Sequence, residues 1–462
     1  MTDYAKLLKA DNGQSARTIH LVDKSTFDDW LKAQPQRHRT AVAAQKLTPT
    51  GYASAILPGD GAEDWSVVSV VANVDALSPW CLAKLGETLP EGTYRLAEGE
   101  PGPAMFGWLT AQYRFTRYKD DNGGGERVLL TGEPARIEET VRLAEATAKV
   151  RDLINTPAGD LGPAQLEAAI KDLGETHGAT VGVIQGRELE RDYPMIHAVG
   201  QAAGEGREPR LIELEWGRDG DPRIAIVGKG VCFDSGGLDI KPAAGMKLMK
   251  KDMGGSAHAI ALAGLVMAAR LPVRLHLLVP AVENSVSGNA FRPGDVLRTR
   301  KGLTVENTNT DAEGRLILGD ALAKAGESNP ELIVDFATLT GAARVALGPD
   351  LPATFIRDED LASQFQAAAD AESDPIWRMP LWDAYDEMLK SDIADLVNAP
   401  EGGFAGAVTA ALFLRRFVPE GTPWAHLDVF GWRPSAKPGR PKGGEAYALR
   451  AAYRMLKDRY DG

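Results

Sequence analysis

From residue 157 onward the chain alternates short apolar runs with helical patterns, and that alternation restricts the fold more than any other feature. Runs at 180–184, 211–216, 223–227, 273–280, 332–336 and 424–429 have the length and composition of strands. Helical patterns lie between and after them at 255–270, 315–325, 406–417 and 446–457. Such an order predicts a layered α/β fold with ligands gathered at strand C-terminal ends. Internal repeats and low-complexity tracts are absent from the sequence.

The first part of the chain is less regular. Residues 66–74 (SVVSVVANV) read as a strand, residues 104–118 are rich in aromatics, and DDNGGG at 120–125 reads as a turn. No cluster of ligands or nucleophiles falls here. A helix is expected over 134–154, where Ile137, Val141, Ala144 and Ala148 keep helical spacing. Glu138 and Glu139 stand early in it, and Lys149 and Arg151 late, which suits the helix dipole. Pro157 then disfavours helical geometry at Thr156. The domain reading is therefore 1–133, a linker helix over 134–156, and 157–462. A length of 462 residues, about three times the ~150-residue prior for one domain, agrees with two domains.

Composition narrows the class. Hydrophobic residues at 44% and charged residues at 25% describe an ordinary globular chain and exclude wholesale disorder. A net charge of −12 argues against nucleic acid or an anionic membrane as partner. The longest apolar run, 259–269, is far short of the ~20 residues of a membrane helix. The start of the chain lacks a basic segment followed by an apolar one, so a cytoplasmic location is expected. Two cysteines, Cys81 and Cys232, make no disulfide framework and suit a reducing compartment.

Chemistry concentrates in two segments, VGKGVCFDSGGLDIKPAAGMKLMKKD at 227–252 and NTDAEGRL at 309–316. Several motifs fail there. The phosphate-loop spacing GxxxxGK[ST] is missing, and Phe233 stands where a dinucleotide fingerprint needs its third glycine. Ser235 lacks a GxSxG elbow, and the seven histidines form no HExxH motif. The acids Asp234, Asp252, Asp311 and Glu313 have an ordinary reading as solvated turn residues or helix caps. Brought together, four carboxylates would raise one another's pKa values, whereas two divalent cations would cancel their charge. Lys229 follows the apolar run IAIV, where desolvation and metal charge would lower its pKa and free its nitrogen for a metal. Lys241 and Arg315 would stay charged, available to an anionic transition state. Both readings of the acids remain open on spacing alone.

Lys229, Asp234, Lys241 and Asp252, followed by the intact octapeptide NTDAEGRL, resemble the leucyl (cytosol) aminopeptidase family. RDLINTP at 151–157, SGNAFRPGD at 287–295, ATLTGA at 337–342, SDIAD at 391–395 and WAHLD at 424–428 match it as well. The similarity covers roughly the last two thirds of the chain. It implies an α/β fold of two domains, a smaller N-terminal one and a larger catalytic one with a mixed central sheet flanked by helices. The implied reaction is hydrolysis of the N-terminal residue from peptides through a metal-bridging hydroxide. Two ions, Zn²⁺ or Mn²⁺, would share Asp234 and Glu313, one adding Asp311 and the other Lys229 and Asp252. Lys241 would polarise the scissile carbonyl, and Arg315 would hold a bicarbonate acting as general base. Met249, Thr338, Leu339, Gly341 and Phe430 would line the side-chain pocket, with the Leu339 N–H as a further oxyanion donor. A homo-hexamer is implied too.

The chain departs from that family after WAHLD, where Val429-Phe430-Gly431 replaces the usual Ile-Ala-Gly, and at GGEAYALR, residues 443–450. Phe430 is expected to crowd the pocket and move preference away from leucine. Two other readings compete: a two-metal phosphoesterase, and a non-catalytic regulator that keeps the fold.

Overall fold

The structure, a computed structural model, describes residues 2–61, 63–120 and 124–461. The turn expected at 120–125 falls in part outside the described residues. By internal contacts the chain forms two compact units, Met1–Ala148 with Ser435–Lys442 and Lys149–Pro434 with Gly443–Gly462. The division falls within the helix Ile137–Asn155, whose last residue lies just before the Thr156-Pro157 stop.

The first unit is built on a six-stranded sheet in the order Leu8–Ala10, Arg127–Thr131, Gly92–Leu96, Arg17–Val22, Trp65–Val70, Ser54–Pro58. All neighbours are parallel except the last pair. Trp108 is buried beneath it against Tyr94 and donates its indole N–H to Arg127 O at 2.9 Å. The strand expected over 66–74 ends at Val70. Val74 N–H turns aside to the Asp23 carboxylate, 3.1 Å away, so the chain leaves the ladder there.

The second unit holds a nine-stranded mixed sheet. Its central strands Trp424–Asp428, Leu332–Ala337, Arg223–Gly228 and Arg274–Asn284 are mutually parallel. Ala353–Ile356 on one side and Arg210–Trp216 on the other run antiparallel to them. Ile224, Ala225, Ile226 and Val227 are all buried, so both faces of that strand are covered and its sequence shows no alternation. The helices Gly254–Ala268 and Glu313–Gly326 both pack on the central strands. The first of these is buried along nearly its whole length, which explains why it is apolar all round.

Each strand and helix expected beyond residue 157 is present, with shifted ends. The last helix begins at Leu449 rather than near 446. Ala448 adopts φ 55°, and the carboxylate of Asp374 collects the N–H groups of Ala448, Arg450 and Ala451. A cap supplied by a residue so distant in sequence leaves no local signal. The strand Gly230–Asp234 was not expected, because its glycine-rich surroundings read as turn. It pairs in parallel with residues 281–284, extending the ladder past Lys229.

Candidate metal centre

Lys229 sits where the strand Arg223–Gly228 gives way to Gly230–Asp234. Its N–H donates to Phe336 O at 3.0 Å, and its carbonyl accepts from Ser256 N–H at 2.8 Å. The backbone is thus clamped between a neighbouring strand and a helix start, and the side chain projects at the C-terminal ends of the parallel strands. Asp234 closes the second of those strands. Asp252 lies in the short 3-10 turn Met249–Met253, and Glu313 opens the helix Glu313–Gly326. Neither Asp252 nor Asp311 is a helix N-cap; Met253 and Ala312 hold those positions.

These elements bring Asp234, Asp252 and Glu313 together, with carboxylate oxygens within 4.8 Å of one another. All three are buried, as is Lys229. Lys229 Nζ lies 2.7 Å from Asp252 Oδ2, 3.0 Å from Glu313 Oε1 and 3.0 Å from the carbonyl of Thr338. Lys241 Nζ lies 2.8 Å from Asp234 Oδ2 and also pairs with Asp311. Glu313 Oε2 is buried without a hydrogen-bond partner. Asp234 Oδ1 is oriented by Gly236 N–H and the Asn284 amide, both at 2.9 Å. Asp252 Oδ1 accepts from Thr338 Oγ1 at 2.9 Å. The two glycine-rich segments are locked together: Asp239 Oδ2 accepts Thr310 N–H, and Thr310 Oγ1 donates to Gly236 O.

The electrostatics follow from crowding. Burial, then the neighbouring Asp234, pushes Glu313 up to about 8, and the same two causes push Asp311 up to about 6. Burial alone would depress Lys229, but Asp252, Glu313 and Asp234 outweigh it and hold its pKa above the ordinary lysine value. The lowering expected from the sequence counted metal charge beside the burial, and the protein groups alone hold the lysine charged. A neutral Lys229 therefore requires divalent charge nearby to offset those acids. Burial lowers Arg315 to about 10, so it remains a cation. Its Nη1 donates to Asn398 O at 2.7 Å, and its Nε has no partner.

One cavity of about 490 Å³ is lined by all seven of Lys229, Asp234, Lys241, Asp252, Asp311, Glu313 and Arg315. Met249, Thr338, Leu339, Gly341 and Phe430 line it as well. The Leu339 N–H, which the resemblance implied as an oxyanion donor, is engaged by Asp428 Oδ1 at 3.0 Å. Ser235 Oγ donates to Asn284 O at 2.8 Å, which suits a loop-fixing role.

Several contributors escaped the sequence reading. Asn284 orients Asp234, and Asn398 ties residues 307–309 together while accepting from Arg315. Asp428 holds the turn at 339–340 through two N–H groups and the Thr340 hydroxyl. Asp428 was within reach, since it ends the WAHLD stretch at a strand C-terminus. The two asparagines stand alone in sequence and carry no pattern. Lys251 and Arg344 also line the cavity, and no motif in the sequence singles them out.

Buried carboxylates interleaved with lysines at the ends of parallel strands, open to a cavity, define a metal-dependent hydrolase of the α/β class. Residues 148–453 match the model of the cytosol aminopeptidase family catalytic domain, and residues 18–130 that of the M17 aminopeptidase N-terminal domain. The chain belongs to the cytosol aminopeptidase family and is a metal-dependent exopeptidase acting at peptide N-termini. A protein of Syntrophotalea carbinolica named "probable cytosol aminopeptidase" is 39% identical, over 76% of this chain and 73% of its own. The crystal structure of cytosol aminopeptidase from Coxiella burnetii superposes with a TM-score of 0.93 at 41% identity, covering 98% of this chain and 99% of that one. The bottromycin maturation enzyme BotP in complex with Mn gives 0.83 at 30% identity, covering 96% and 100%. Phosphoester hydrolysis and a non-catalytic role are not favoured by this membership.

Proposed function

We propose that the cluster holds two divalent cations, Mn²⁺ or Zn²⁺, and that this enzyme uses them to release N-terminal residues from peptides and aminoacyl amides. The carrying observation is the convergence of Asp234, Asp252 and Glu313 within 4.8 Å, with the two lysine ammoniums already drawn among the carboxylates. The donor set fits such ions: carboxylate oxygens, one lysine nitrogen, and a Glu313 oxygen that is buried and unpartnered. Four carboxylates balance two divalent ions when Lys229 is neutral. Asp234, Glu313, Asp311, Lys229 and Asp252 would hold the ions. When bound, the ions supply Lewis acidity, a nucleophile from water at neutral pH and an anchor for the substrate's free amine.

The protein's own residues divide the remaining work. The Lys241 side chain is 15% exposed against 3% for Lys229, so Lys241 is the ammonium within reach of a substrate carbonyl. Arg315 offers its Nε edge to an anion, which fits a bicarbonate serving as general base. Met249, Thr338, Leu339, Gly341 and Phe430 form the wall for the substrate side chain. Since the Leu339 amide is committed to Asp428, oxyanion stabilisation by this chain falls to Lys241. The relatives' names and the two free, buried cysteines support a cytoplasmic protein. No helix among the described residues is long and apolar enough to cross a membrane.

The test is metal-dependent hydrolysis. Chelator-treated protein loses leucyl- or alanyl-amide hydrolysis, Mn²⁺ or Zn²⁺ restores it, and phosphate monoesters are not turned over. Full activity in metal-free protein would overturn the assignment.

A further inference from the structure

We propose that this enzyme prefers substrates whose N-terminal residue carries a carboxylate, glutamate or aspartate, because Lys251 and Arg344 set two cations around Phe430 in the side-chain part of the cavity. The inference rests on the two-metal aminopeptidase reading and goes beyond it. Phe430 is half-buried and lines the cavity; Lys251 Nζ lies 5.2 Å from its ring centroid and Arg344 Cζ 5.3 Å. The ring offers each cation a weak electrostatic partner, well short of a counter-ion.

Neither cation has a full anionic partner among the described residues. Lys251 is buried, and its one carboxylate contact is Asp252 Oδ1 at 3.5 Å, an oxygen that already accepts from Thr338. Arg344 is exposed on the helix Gly341–Leu347, and no carboxylate pairs with it. Outside the metal cluster the single carboxylate lining the cavity is Asp428, and both its oxygens are taken by Leu339 N–H, Thr340 N–H and the Thr340 hydroxyl. The anion that would satisfy Lys251 and Arg344 is therefore not supplied by the pocket itself.

The remaining walls leave room for one. A Cβ at Gly341 would meet nothing within 4 Å. A leucine side chain seated here would press hydrocarbon against a buried ammonium, leaving it desolvated and unpaired. A carboxylate of similar length would give that ammonium its counter-ion and place its second oxygen toward the Arg344 side. Glutamine has the shape of glutamate without the charge, so the pair isolates the electrostatic contribution.

The experiment compares kcat/KM of metal-loaded enzyme on glutamyl, glutaminyl, aspartyl, asparaginyl, leucyl and alanyl p-nitroanilides. Glutamyl should exceed glutaminyl by roughly tenfold or more, the scale of one charge pair formed away from bulk water. Lys251→Met should collapse that ratio toward one. Arg344→Gln, at an exposed position where folding is not at stake, should lower it partway. Each ratio is taken within one preparation, so altered metal loading cancels. Hydrolysis of leucyl and alanyl substrates with glutaminyl equal to or above glutamyl would overturn the acidic preference and leave the aminopeptidase reading standing. A high glutamyl ratio untouched by both substitutions would overturn the assignment to Lys251 and Arg344. If no aminoacyl substrate were hydrolysed, the underlying reading would fall with it.

Discussion

A Cβ at Gly314 would stand 2.4 Å from Lys229 Cε and 2.6 Å from Lys229 Nζ, so the glycine of NTDAEGRL is the space through which the lysine reaches Asp252 and Glu313. Two motifs more than eighty residues apart in sequence are thereby one device. Gly314→Ala should displace the Lys229 side chain, cost about 1–3 kcal/mol in stability, and reduce bound metal. Metal content measured beside thermal unfolding checks it. A fully loaded, fully active variant would show that the lysine does not depend on the space at Gly314.

Lys241 and Arg315 should separate by kinetics. Lys241→Ala should lower kcat by ~10²-fold or more with metal content nearly intact, the scale of a lost oxyanion donor. Arg315→Ala should cost less and lose any response to added bicarbonate. If Lys241→Ala instead lost most of its metal, the carbonyl role would belong elsewhere.

Much of this architecture was legible because its signals are local. The strand Arg223–Gly228 and helix Gly254–Ala268 announce themselves by being apolar on all sides, and the acids stand at the ends of regular elements or in the short turns beside them. The loss of legibility has one physical cause, partners distant in sequence. Asp374 moves the start of the last helix, Asn284 aims Asp234, and Asp428 claims the Leu339 amide, each across a span that no window of sequence contains. The surroundings of Lys229 are only half legible for a related reason. Desolvation is readable from the apolar run before it, but that Asp234, Asp252 and Glu313 all close on its ammonium is set by the fold, Glu313 arriving from more than eighty residues away.

Ile240, Val345, Ile393 and Phe404 are more than half exposed, Phe404 at 85%, and all belong to the second unit. Apolar side chains so exposed suit burial in subunit contacts. We propose a homo-oligomer, a hexamer by family resemblance. Light scattering at low micromolar protein should return about six times the chain mass, and the mass of a single chain would reject assembly.

His258 sets an acid limit on stability. The ring is fully buried in the helix Gly254–Ala268 and stacks on Phe336 with centroids 5.5 Å apart. Its Nε2 accepts the N–H of Tyr447 at 2.9 Å, so the proton sits on Nδ1, which donates to Gly254 O at 2.6 Å. A second proton would have to replace the Tyr447 bond. Burial pushes the pKa down to about 4 from 6.5, with the Gly254 carbonyl and the distant Asp374 opposing it only weakly. A depressed histidine means that the unfolded chain binds the extra proton first as pH falls. The native state therefore loses almost nothing at pH 7.5, about 2 kcal/mol by pH 5, and about 3 kcal/mol by pH 4. Other groups titrate in the same window, so the reading is a difference: urea unfolding of wild type and His258→Gln at pH 7.5 and pH 5. The variant should be less stable than wild type at pH 7.5 and should lose about 2 kcal/mol less on acidification. Parallel losses in the two proteins would mean that His258 is protonated in the fold, and that the Tyr447 bond does not hold the ring neutral.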